Sequence, residues 1–141
     1  MPKSARGAKV GVGRVAKATV DTSYQGTQYN RAAGTGKTAD KMAAEITKLA
    51  PNAIKANPEA IAQIQAVSGN PNATVTIYRA TVGDTINNGD WVFLEKSLAE
   101  RWTKTPMGTP KPGVKVLQMT VKAKDVDWTG KNLEFGYFPN K

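Results

Sequence analysis

The chain has 141 residues, room for one domain with one core and an appended segment. It carries 20 Lys and Arg against 11 Asp and Glu, a formal net charge of +9, with neither His nor Cys. Those two absences exclude disulfides, thiolate catalysis, Ser-His-Asp triads, imidazole bases and the common zinc sites, so any chemistry must rest on carboxylates, hydroxyls, Lys, Arg or a bound cofactor. No metal is expected. No apolar run approaches the roughly 18 residues of a membrane span, and the basic residues 1–20 lack the apolar stretch of a secretory signal. A soluble protein outside the general export route is expected, with no membrane partner.

Residues 1–36 hold Lys3, Arg6, Lys9, Arg14, Lys17 and Arg31 against Asp21 alone, and their only large side chains are Tyr24 and Tyr29. So little apolar surface cannot offset an ordering cost of about 1–2 kcal/mol per residue. The expectation is a basic, Gly- and Ala-rich arm that orders only against a partner. Lys3, Arg6, Lys9, Arg14 and Lys17 are its candidate contacts to a polyanion, nucleic acid or an acidic protein surface among them. A solvated basic surface without a specific partner is the plainer alternative.

Two glycine motifs fall near this arm. Gly11-Val12-Gly13-Arg14-Val15-Ala16 is a fragment of a dinucleotide fingerprint, but lacks the preceding strand and the later acidic residue. Gly34-Thr35-Gly36-Lys37-Thr38 matches the tail of a phosphate-binding loop and precedes a helix. Arg31, however, stands where the first glycine of such a loop belongs, and no buried strand feeds it. A linker that ends in a helix cap explains it better.

The domain proper is expected over residues 37–141. Met42, Ala43, Ile46, Leu49 and Ala50 recur at helical spacing, predicting a helix over 39–50 with Thr38 as cap and Pro51 as its end. Asn57-Pro58-Glu59 opens a second helix over 58–68, with Ile61, Ile64 and Val67 on one side. From residue 74 strands follow. Val75, Ile77 and Tyr78 read as the first, and Asn87-Asn88-Gly89-Asp90 as a turn into Trp91-Val92-Phe93-Leu94. Residues 96–102 read as a short helix and 103–113, with three prolines and two glycines, as a loop. Val114 to Val121 form the strongest strand and residues 133–138 a closing one. Helices first, then strands around one short helix, predict an α+β domain.

Several blocks of this second half resemble a known family. Gly69 through Ala80, with Ile77-Tyr78-Arg79-Ala80 at its end, is similar to the first strand of ADP-ribosyltransferase-like domains found in tailed-phage head-morphogenesis and virion-associated proteins. The resemblance continues through Ile86-Asn87-Asn88-Gly89-Asp90-Trp91-Val92 and Leu98-Ala99. It then takes in Val116-Leu117, Val121 to Val126, and Leu133-Glu134-Phe135-Gly136-Tyr137-Phe138-Pro139. It covers about residues 57–141, in the family's order and spacing.

The resemblance implies a small β-rich ADP-ribosyltransferase-like fold and NAD as cofactor. It puts Glu134 in the place of the catalytic glutamate, and Arg79, with Tyr78 and Ser97, at the cofactor. A carboxylate stabilises the cationic ribose that forms when the nicotinamide bond breaks, and a guanidinium fork suits a pyrophosphate. On the residues alone, Arg79 also fits an ordinary ion pair with Asp84 or Asp90. Glu134 likewise fits a solvated charge that guards an edge strand. Trp91, Trp102, Trp128 and Tyr137 are candidate stacking groups for nicotinamide or adenine, or core residues.

Two departures bear on activity. The family's middle strand carries Ser or Thr where this chain has Phe93-Leu94-Glu95, with Ser97 two positions late, and Asn132 stands where some members direct the acceptor with Glu or Gln. The expected function is therefore a phage or prophage virion-associated protein with a degenerate transferase-like domain, its arm contacting other virion proteins or packaged DNA. The alternative is an active mono-ADP-ribosyltransferase acting on host proteins. The expected location is the virion or the cytoplasm of the infected bacterium.

Overall fold

A computed structural model describes residues 15–17, 32 and 34–139. Helix and sheet are mixed, as an α+β domain requires. In chain order the elements are β1 (Val15–Lys17), α1 (Ala43–Ile46), α2 (Pro51–Ala56), α3 (Pro58–Ala66), β2 (Thr74–Thr81), β3 (Trp91–Phe93), α4 (Lys96–Arg101), β4 (Lys115–Lys122), β5 (Val126–Trp128) and β6 (Glu134–Tyr137). The sheet runs β1-β4-β2-β3-β6-β5. β1 lies parallel to β4, and every other neighbouring pair is antiparallel.

The longest pairing, β2 with β4, joins the two segments whose alternation was clearest: Ile77 lies opposite Met119 and Arg79 opposite Leu117. One side of the sheet presents Val75, Ile77, Val92, Leu117 and Phe135 to Met42, Ile46, Ala60 and Ile64, forming the main core. The other side presents Tyr78, Phe93 and Val116 to Ala99 of α4. Successive strand residues point to opposite faces, so Arg79 and Tyr78 diverge, as do Glu134 and Phe135. Between β2 and β3 only Tyr78 and Phe93 are in register. Beyond that pair the Gln63 amide of α3 stitches the strands together, bonding Thr76 N, Thr76 O and Leu94 O at 2.7–3.0 Å.

The helix expected over 39–50 is broken. A 3-10 turn (Ala39–Lys41) leads into the single turn of α1, and Pro51 starts α2 where it was expected to stop a helix. Proline at the first helical position explains this, because its missing N–H would have no partner there anyway. Thr38 makes no side-chain cap; its hydroxyl donates to Asp40. Asn57 does not cap α3 either, since its amide donates back to Ala53 O at 2.6 Å. The α3 start is held from outside: Glu95, at the N-cap of α4, accepts from Ala60 N at 2.9 Å. Glu59, in the first turn of α3, accepts from Lys96 N at 2.9 Å. Each helix thus supplies the carboxylate that satisfies an orphan N–H of the other.

The arm reading is also corrected in part. Residues 15–17 pair with β4 as β1, while Lys3, Arg6, Lys9 and Arg14 lie outside the described residues. Residues 34–38 run beside β5. Thr35 N donates to Trp128 O, Trp128 N to Lys37 O, and Thr38 bridges Asp127. Gly36 N donates to the Asp127 carboxylate at 2.9 Å. A Cβ on Gly34 would fall 2.6 Å from Asp127 Oδ2, so only glycine fits this approach. The phosphate-loop resemblance dissolves here, because the loop's N–H groups already bond Trp128 O, the Thr35 hydroxyl and a carboxylate of the protein.

Candidate functional site

A cleft of about 520 Å³ opens between the end of β2, the start of β3 and the loop over residues 103–113. Arg79, Ala80, Thr81 and Val82 form one wall, and Trp91, Phe93, Trp102, Lys111, Val114 and Glu134 complete it. Arg79 and Glu134, the two residues on which the resemblance rests, both line the cleft, but the register sets them on opposite faces. Glu134 lies with Phe93 and Tyr78, and Arg79 with Ile77 and Leu117, so Arg79 borders the cleft at the β2–β3 seam, where it bonds Trp91 O. The cleft volume lies within the range of small-molecule sites, and its lining is mostly apolar and aromatic with a few charged groups.

Arg79 is committed to the protein on one side. Its Nη1 donates to Trp91 O at 2.8 Å, and its Nε lies 3.5 Å from Asp90 Oδ2. Of the two ion pairs open to it in the sequence, the one with Asp90 forms, while Asp84 pairs with Lys115. Asp90 is almost fully buried and also accepts from Asn87 N at 2.7 Å. Burial pushes its carboxyl up from the ordinary value, with the Asn87 N–H and the Arg79 charge opposing that rise. The pair fixes the guanidinium across the β2–β3 seam, where direct strand pairing is lost.

Glu134 is the contrast. It does not guard an edge, since β6 lies between β3 and β5. Its side chain shares a face with Phe93, its register partner. Among the described residues its carboxylate makes no hydrogen bond and no ion pair. A half-buried carboxylate left without a partner in a cleft is available to a ligand.

Tyr78 and Ser97 are not brought to the cleft. Tyr78 shares the face of Phe93 and Glu134 but donates its hydroxyl to Glu59; burial, then Glu59, raises its pKa far above normal. Ser97 donates to Glu95 Oε2 at 3.0 Å. Glu95 is turned under α3 and nearly buried, and Leu94 lies in the core. Phe93 alone of that run faces the cleft, where the family has a hydroxyl. Of the aromatic candidates, Trp91 and Trp102 line the cleft, Tyr137 is core, and Trp128 lies 6.0 Å beneath Lys37.

A second lobe of about 550 Å³ adjoins the first and shares Phe93, Trp102, Lys111 and Glu134 with it. It adds Asn57, Arg101 and Lys104, which nothing in the sequence connects with a site, and Asn132, which the resemblance sets at the acceptor position. The 103–113 loop closes on itself, Lys111 N donating to Thr103 O, and no spacing in the sequence announces the cluster. Lys111 sits 5.6 Å from the Trp102 ring centre, within reach of a cation–π contact. Among the described residues no group of three His, Cys, Asp or Glu is placed to hold a metal, and no helix is long and apolar enough to cross a membrane.

Comparison of the chain with known protein families, with curated proteins and with solved structures finds no match. The chemistry of the cleft therefore carries the functional reading.

Proposed function

We propose that this is a phage or prophage virion-associated protein built on an ADP-ribosyltransferase-like domain. On this reading its cleft holds NAD, with Arg79 at the pyrophosphate and Glu134 facing the ribose. The supporting observation is one open cleft lined by an unpartnered carboxylate and two tryptophans, with a fixed guanidinium at its β2–β3 border. A dinucleotide needs each of these: a fork for phosphate, an acceptor for ribose hydroxyls, and flat apolar surfaces for its rings. Phe93 in place of a hydroxyl beside Glu134 favours a degenerate site, one that binds but turns over poorly. The basic residues 1–36 would then serve assembly, meeting virion proteins or packaged DNA through phosphate or acidic contacts.

The free Glu134 carboxylate favours a second reading, an active mono-ADP-ribosyltransferase on host proteins. There the nicotinamide–ribose bond breaks, nicotinamide leaves with the bonding pair, and the acceptor nucleophile attacks the ribose carbon. Glu134 stabilises the cationic sugar more than the neutral ground state.

Calorimetric titration of the full chain with NAD, run beside a hydrolysis assay on wild type and Glu134→Gln, separates the cases. Binding without Glu134-dependent hydrolysis supports the degenerate site. Hydrolysis that disappears in Glu134→Gln supports the transferase. No binding at millimolar NAD rejects NAD for both.

A further inference from the structure

The second lobe differs from the first in charge. Arg101, Lys104 and Lys111 converge on it, and among the described residues none of the three has a carboxylate partner. Asn57, 6% exposed, closes the floor of the lobe, its Nδ2 bonded to Ala53 O. Trp102, 54% exposed, offers a ring face at the boundary of the two lobes.

We infer that this second lobe, which adjoins the Arg79 lobe and shares Trp102 and Lys111 with it, is a nucleotide subsite that takes phosphate on Arg101, Lys104 and Lys111 and a base against Trp102. The shared chemistry is a phosphate joined to a flat ring, and a free nucleotide or the exposed end of a single strand supplies it equally. Neutralising several cations with phosphate makes binding salt-dependent, and aromatic stacking makes it tolerant of base identity. A role for the cations as solvated surface charge alone predicts neither phosphate affinity nor dependence on these particular residues.

The test titrates the full chain with ADP and, separately, with a short 5′-phosphorylated single-stranded oligonucleotide, following tryptophan fluorescence. Arg101→Gln/Lys104→Gln is compared with the control pair Lys122→Gln/Lys124→Gln; all four positions are exposed, so folding is not at stake. At least tenfold weaker binding of either probe in the first pair, with the control pair like wild type, is the expected result. The probe that binds identifies the source. Equal binding by both pairs, or no binding of either probe at millimolar concentration, overturns the inference. NAD failing to bind while ADP binds through Arg101 and Lys104 counts against the proposed NAD site alone.

Discussion

The two flanks of β6 differ in how far their polar groups satisfy one another, the Arg79–Asp90 pair being the satisfied exception on the cleft side. Toward β5 the Asp127 carboxylate bonds Gly36 N, Asp40 accepts from Thr38, and Glu45 is held by Lys37 at 2.8 Å. Toward β3 and the cleft, Glu134, Arg101 and Lys104 have no such partner among the described residues. Both flanks belong to one sheet, so the difference does not come from the fold class. Polar groups that satisfy each other hold a structure together; those left open beside a cavity are kept for something else.

Adjacent residues on β6 give the sharpest way to break this contrast. Phe135 is fully buried in the main core, and Phe135→Ala should cost about 3–5 kcal/mol in denaturant unfolding. Next in size is Glu95→Ala, which removes the outside cap of α3 and should cost about 1–2 kcal/mol. Glu134→Gln should change stability by less than about 0.5 kcal/mol, because no protein contact is lost. A large destabilisation by Glu134→Gln would show that its carboxylate is structural and remove the contrast.

A smaller effect distinguishes the flanks by pH. The hydrogen bond and charge of Lys37 hold Glu45 below its ordinary 4.5. Its contribution to stability is therefore present above that value and lost as pH falls through the lowered folded pKa. Asp90, raised from 3.8 by burial, has the opposite sign: its contribution is present below 3.8 and lost as pH rises through the folded pKa. Unfolding profiles between pH 3 and 6 should lose the acid-side decline in Glu45→Gln. In Asp90→Asn they should lose the opposing slope. Identical profiles for both variants and wild type would mean that neither partner arrangement persists in solution.

Much of this architecture is legible in the sequence where periodicity is long. β2 and β4 announce themselves through eight residues of strand each. β5 does not, because Val126-Asp127-Trp128 is three residues long and follows directly on a 3-10 turn. β1 hides in a composition that argues for no structure, and takes its pairing from the β4 edge alone. In the site, the resemblance marks both Arg79 and Glu134, and both line the cleft, from opposite faces of the sheet. Strand alternation separates Tyr78 from Arg79, and the Tyr78 hydroxyl is taken by Glu59, a partner no spacing announces. The lobe of Arg101, Lys104 and Lys111 was not legible at all, being assembled by the return of an irregular loop.

The three tryptophans provide the most direct test of the central claim, that the cleft is a ligand site. Their indole N–H signals can be followed by NMR in the full chain during NAD addition, with Trp91 and Trp102 in the cleft and Trp128 on β5 outside it. The account predicts saturable shifts of Trp91 and Trp102 with Trp128 nearly unmoved. Shifts confined to Trp128, or none at millimolar NAD, would contradict it.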